Sequence, residues 1–343
     1  MNKTLSKILK IVLPLAIGFL IIWLFTRKFT QDQIDDVVDA FKRANYWWIV
    51  LSMVLGILSH YLRAVRWKML IVPMGYNPPM RTTFFAVMIM YLANLAIHRL
   101  GEVSRCGIMD RYANVPFQNA LGTMVTERLV DLILLLVVGL CAILFQYDLV
   151  INFWNTNMDA YVAKFSSSGS YLVGAGIFML FVLGYLYLSR KAENAFILKI
   201  RKVIIGAWEG IKSVGKLKNP VSFILMSLSI WFLYLAMIYI GFFALSETSS
   251  LGWPAAFACL FIGTFGIIVT PGGLGAYPAL ISTLLVMYGI EGTIGYALGW
   301  IVWGAQTVII IVVGFLSLIL LSVYNKRKNK REAVDQHTVE VSG

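Results

Sequence analysis

Apolar runs follow one another along almost the whole chain, and nothing else in the sequence limits its fold so strongly. They cover Ile8 to Phe25, Tyr46 to Leu62, Thr82 to Ile97, Leu121 to Phe145, Tyr171 to Leu188, Val221 to Leu245, Ala255 to Val269 and a stretch from Ile281 to Val323 interrupted near Gly289. A hydrocarbon core of about 30 Å is crossed by roughly 20 apolar residues in an α-helix. Lipid-exposed backbone has no water to bond, so a chain of apolar runs satisfies itself as helices. The expectation is an all-α polytopic membrane protein, with residues 1–325 as one integral membrane domain and 326–343 as a basic, then polar tail. With 59% of 343 residues hydrophobic and 13% charged, the intervening loops are too short for a soluble catalytic domain. The first run follows Lys3, Lys7 and Lys10 like a signal peptide, but no small-residue cleavage site succeeds it, and Arg27 and Lys28 mark it as a retained helix.

Charge in the loops orients the spans. Arg190 to Lys218 carries eight Lys or Arg, and Lys326 to Arg331 five more, which places both in the cytoplasm by the positive-inside rule. Gln31 to Asp39 with its four Asp, and Tyr147 to Ser170 with Asp148, Asp159 and one lysine, belong outside. The same juxtamembrane clustering accounts for the net charge of +12 without nucleic acid. The resulting location is a cytoplasmic membrane, with both termini on the cytoplasmic side.

Parity then demands an unusual element. Between the cytoplasmic loop at Arg63 to Arg81 and the outer loop at Tyr147 lie two apolar runs, where an odd number of crossings is needed. A re-entrant hairpin from Thr82 to about Arg111 removes the conflict. Its second limb, GEVSRCGIMDRY, is too polar to face lipid and belongs against protein or a wet cavity. The same reasoning makes Ala255 to Tyr288 a second hairpin, broken at TPGGLGAYP. Aligning Ile97 onward with Pro271 onward superposes the RLG and GLG turns. Three full crossings separate the hairpins, so the two units, about 82–145 and 255–323, insert with opposite topology. About six full crossings and two re-entrant hairpins form an inverted repeat, an architecture whose binding sites lie where paired breaks meet near the midplane.

Ionisable groups within the hydrocarbon region cost roughly 2.5–3.5 kcal/mol unless paired or hydrated. Glu127, Arg128 and Asp131 fall one-quarter to one-half of the way along an apolar run, and Glu127 and Asp131 share a face. With Glu102 they form an expected charge network, either structural or directly functional. Arg63, Arg66, Arg99, Arg105 and Arg111, facing few carboxylates, would present free guanidinium forks that suit the phosphate of a lipid headgroup. At the second break, Pro271, Gly272, Gly273 and Gly275 let backbone amides approach an anion or line a narrow path. No catalytic residue, cofactor or metal site emerges: His60, His98 and His337 are scattered, and no further ligands join the His98–Glu102 spacing. Cys106, Cys141 and Cys259 are odd in number and far apart, which argues against a disulfide framework or a thiolate metal site.

These motifs carry a resemblance. LRAVRW at Leu62 to Trp67, HRLGEVSR at His98 to Arg105, MVTERLVDL at Met124 to Leu132 and PGGLG at Pro271 to Gly275 are similar to the membrane domain of the lysylphosphatidylglycerol synthase/flippase family, in particular its stand-alone members. Relatives commonly carry a proline ahead of the RLGE element, where this chain has Ala96 and His98. They also carry an acidic residue after the GGLG turn, where Pro278 stands. The resemblance implies binding and translocation of an anionic phospholipid or lipid-linked precursor in the bacterial cytoplasmic membrane, and no aminoacyl transfer. Two other readings stay open: an intramembrane lipid-phosphate enzyme using Glu127 or Asp131 as base, and a non-catalytic membrane assembly factor.

Overall fold

The computed structural model describes residues 3–97, 100–147, 217 and 219–342, with side chains described for 15–97, 100–147, 217 and 219–325. Among the described residues there are ten α-helices and no strand: α1 (Lys3–Thr26), α2 (Gln31–Arg43), α3 (Tyr46–Ile71), α4 (Met80–Ala96), α5 (Leu100–Ala113), α6 (Phe117–Phe145), α7 (Pro220–Gly241), α8 (Trp253–Val269), α9 (Ala276–Val286) and α10 (Gly292–Ser342). Four of them, α3, α6, α7 and α10, are long and apolar enough to cross a bilayer. The run Tyr171 to Leu188 and the basic loop after it lie outside the described residues.

Both expected breaks are present, and both produce hairpins. Helices α4 and α5, of 17 and 14 residues, would be about 25 and 21 Å long, short of a full crossing. They fold back on each other around Ile97. The Gly101 N–H donates to Asn94 Oδ1 across the turn at 2.8 Å, and a Cβ on Gly101 would overlap the Met90 carbonyl oxygen. Cys106 and Met109 of α5 share a core with Ala86, Val87 and Met90 of α4, as antiparallel limbs require. In the second hairpin the Tyr277 ring fills the space at Gly263, its backbone lies against Gly266, and Ile281 and Leu285 join Cys259 and Leu260 in one core. Its turn needs left-handed backbone at Gly272 (φ 62°), Gly273 (φ 84°) and Gly275 (φ 72°), which only glycine adopts without strain.

The two hairpins enter from opposite ends of α6. At its N-terminal end, Asn119 donates to the Tyr76 hydroxyl just ahead of α4, and Ala113, Val115 and Phe117 pack in the same cluster as Tyr76 and Met80. At its C-terminal end, the Gln146 side chain donates to the Pro254 carbonyl at the start of α8 and accepts from the Tyr288 hydroxyl just past α9. One residue thus ties both limb ends of the second hairpin together. The tips meet inside: Leu95 of the first lies against Gly272 of the second, Trp303 of α10 donates to the Gly272 carbonyl at 2.7 Å, and Gly18 of α1 backs onto Leu274 and Gly275.

One element was not anticipated. The acidic segment after Arg27 is the helix α2, opened by a capping box in which Thr30 and Gln33 satisfy each other's backbone amides. Val37, Ala40 and Phe41 bury one face in the main core, whereas the Asp residues point to solvent.

Candidate functional site

Where α3, α5, α6 and α7 converge, the bundle buries a cluster of charge. Helix α3 presents a stripe at Gly56, His60, Arg63 and Trp67, with Arg66 beside it, because residues three and four apart share a helical face. Arg63 Nη1 lies 2.9 Å from Asp131 Oδ2, and Arg66 Nη1 2.8 Å from Asp131 Oδ1. Glu127, one turn away on α6, takes Arg105 Nη2 of α5 at 2.6 Å and sits 3.6 Å from Arg66 Nη2. Arg66, Arg105 and Glu127 are each at most 1% exposed. Neutral groups complete the shell: Arg63 donates to the Tyr234 hydroxyl at 3.0 Å, and Arg66 to Ser227 Oγ at 3.3 Å. The Arg105 guanidinium lies 4.0 Å from the centre of the Trp67 ring, whose Nε1 donates to Thr123 Oγ1.

Three arginines against two carboxylates leave a buried excess of one positive charge (3 − 2 = +1). Donors are left over as well: Nε of Arg63, Arg66 and Arg105, and Nη1 of Arg105, have no hydrogen-bond partner among the described residues. A buried cation left with spare donors is costly unless an anion or polar group meets it. Beside Arg63, His60 packs against Tyr91 of α4 with the rings tilted and their centroids 4.4 Å apart, and both its ring nitrogens are unpartnered among the described residues.

The residues singled out from sequence divide into five groups. Arg63, Arg66, Arg105, Glu127 and Asp131 come together in the cluster. The guanidinium groups of these three arginines are not left wholly free, as expected from the sequence: Glu127 and Asp131 project from α6 onto the same point and engage Arg63, Arg66 and Arg105. Glu102 and Arg128 form a separate pair at 2.8 Å, with the Arg128 side chain 45% exposed. Arg111 does not join the cluster. It lies exposed on another face of α5, beside a groove of about 300 Å³ bounded by Ile89, Ser104, Ile108, Leu318 and Ser322. Arg99 lies outside the described residues. Pro271, Gly272, Gly273 and Gly275 form the second tip, where Leu95, Ile22 and Trp303 pack against the glycines. Sequence reasoning missed Trp67, Ser227 and Tyr234. Trp67 was signalled by its place one turn after Arg63, whereas Ser227 and Tyr234 sit in an ordinary apolar run and carried no signal.

A family model for the lysylphosphatidylglycerol synthase transmembrane region matches residues 11–332, nearly the whole chain. The chain belongs to this family. It is a membrane protein, and the paired hairpins and arginine cluster described above lie within the family's transmembrane region. Among curated proteins, a UPF0104 membrane protein of Methanocaldococcus jannaschii is 27% identical over 128 residues. That match covers 36% of this chain and only 37% of the archaeal protein's length. No solved structure matches the chain.

Proposed function

We propose that this membrane protein binds an anionic phospholipid or lipid-linked precursor and carries it between leaflets, without covalent chemistry of its own. The observation that carries the reading is the buried +1 cluster with unpartnered guanidinium donors, one of whose arginines, Arg105, stands on a hairpin limb. Planar guanidinium forks match phosphate oxygens in pairs. The exposed Arg111, at a groove between α5 and α10, supplies a first contact for a headgroup at the same end of the bundle. Lipid tails have exposed apolar helix surface beside that groove, at Leu318 and its neighbour Ile319. Opposed hairpins whose tips meet are the arrangement in which one site is exposed alternately to either side. On this reading the protein lies in a bacterial cytoplasmic membrane with both termini in the cytoplasm, and transport is downhill or driven by an ion gradient or a partner.

The test is movement of a fluorescent anionic phospholipid in reconstituted vesicles. Wild type is expected to move it, while Arg105→Lys, which keeps the charge and loses the fork, is expected to slow it at normal expression. If Arg105→Lys transports like wild type, the guanidinium does not grip a phosphate. If wild type moves no lipid with or without an ion gradient, the transport reading falls.

A further inference from the structure

One turn before Arg63 on the stripe of α3, His60 is 6% exposed, and neither of its ring nitrogens has a hydrogen-bond partner among the described residues. Unmade bonds of this kind are costly, and a phenylalanine would fill the same place against the Tyr91 ring without them. A polar ring kept there at a cost points to a use for its nitrogens.

The surroundings of His60 narrow that use. The charged group facing it is Arg63, on its own helix. From α4 it meets Tyr91. On α7 and α6, Tyr234 and Asp131 bond to Arg63, and Glu127 bonds to Arg105. From α10 comes the neutral Gln306, whose carboxamide oxygen lies against Gly56, one turn before His60, and whose Nε2 is also unpartnered. Among the described residues, no carboxylate pairs with His60.

Charge balance then links His60 to the anion. Without an anion at the arginines, a proton on His60 would add a second positive charge beside the buried excess of +1. A singly charged headgroup at the arginines cancels that excess (+1 − 1 = 0), and the repulsion is removed. Coupling of this kind is reciprocal, so the anion favours the proton and the proton favours the anion. The two therefore travel together rather than in exchange. Burial serves the same end, because the ring nitrogens are closed off from solvent, with Tyr91 of the first hairpin as part of the wall. A proton site open to both sides would leak, whereas one uncovered only when the hairpin moves exchanges its proton in step with the headgroup.

We infer that His60 is the proton site of a proton-coupled carrier: it takes up a proton with the anionic headgroup on one side of the membrane and releases it with the headgroup on the other. The inference rests on the transport reading and supplies its driving ion. Only an N–H bond forms and breaks: a proton passes from water to a ring nitrogen, and later from that nitrogen to water.

The experiment uses the whole protein in phosphatidylcholine vesicles with a trapped pH dye and fluorescent phosphatidylglycerol, whose phosphodiester keeps one charge throughout, in the outer leaflet. A gradient of about one pH unit, acid outside, is set within the range where imidazole titrates, with the membrane potential clamped by potassium and valinomycin. Wild type should move the lipid inward several-fold faster with the gradient than without it, acid should enter in step with the lipid, and nigericin should abolish the acceleration. In His60→Gln the rate with the gradient should equal the rate without it, whatever the absolute rate. If the glutamine variant fails to fold, His60→Phe takes its place, since phenylalanine packs against Tyr91 with no polar atom to satisfy. Lipid movement in wild type that ignores the gradient and carries no acid overturns the inference and leaves the transport reading standing. An acceleration that survives in His60→Gln or His60→Phe overturns it too, because the proton site is then another group. Wild type that moves no lipid overturns both.

Discussion

Replacing Asp131 by asparagine tests whether the buried cluster is held by charge or merely wetted. Asp131 meets two guanidinium groups, Arg63 at 2.9 Å and Arg66 at 2.8 Å. At charge separations of roughly 4 Å and an effective dielectric near 20, each attraction amounts to about 4 kcal/mol. Part of the loss is offset because the carboxylate no longer has to be desolvated, which leaves a net cost of about 3–5 kcal/mol for breaking a buried pair. The cluster's excess rises from +1 to +2. Combining Asp131→Asn with Arg63→Met returns the excess to +1, and the double variant should recover about 1–3 kcal/mol relative to the sum of the single effects. Equilibrium unfolding in mixed micelles, followed through the ten tryptophans, measures all three. Glu102→Gln is the internal comparison: its partner Arg128 is 45% exposed, and the loss should not exceed about 1 kcal/mol. If Asp131→Asn costs no more than Glu102→Gln, or if the cycle shows no coupling, water already solvates the arginines and the argument from buried charge fails.

Gly101→Ala should prevent the first hairpin from closing, because its Cβ overlaps the Met90 carbonyl oxygen; expression and thermal stability should collapse, whereas Gly107→Ala, with open space around it, should be tolerated. Single cysteines at Asn77 and Asn114 should react with an impermeant thiol reagent from one side of the membrane, and those at Gln31 and Gly289 from the other; opposite-side labelling of the first two would dismantle the hairpin. Burial pushes the Glu247 carboxyl up, but its own backbone N–H, the Ser246 hydroxyl and the Arg43 guanidinium outweigh that and hold it below the ordinary carboxylate value. Its stabilising effect is therefore present at neutral pH and lost as pH falls through the lowered value, so the difference in Tm between wild type and Glu247→Gln should shrink on acidification from pH 7 to about pH 3.

Much of the architecture was legible because membrane spans advertise themselves. Helix ends at Tyr46, Phe145 and Val269 coincide with the ends of apolar runs, and loop charge with crossing parity exposed both hairpins before any geometry was known. Helix α2 was missed because its four Asp dominated the reading, although Ile34, Val37, Val38 and Phe41 recur at helical spacing. The carboxylates on α6 were recognisable as costly. Arg63, Arg66, Arg99 and Arg105 were candidate partners, but which carboxylate each would meet was not legible, since Arg63 and Asp131 are 68 residues apart and only the packing of α3 against α6 joins them.

Composition and periodicity therefore settled the elements: in hydrocarbon, backbone hydrogen bonds close within a helix, so each span is decided by its own residues. They also settled that something must neutralise Glu127 and Asp131. The tertiary structure decided how. Helix rotation brings three arginines from two other helices onto those two carboxylates, which leaves one positive charge and spare donors inside the bundle. It sets Leu95 against Gly272, so that two breaks 174 residues apart form one junction. A side chain's charge is local, but its partner depends on how helices pack, and no local pattern encodes that.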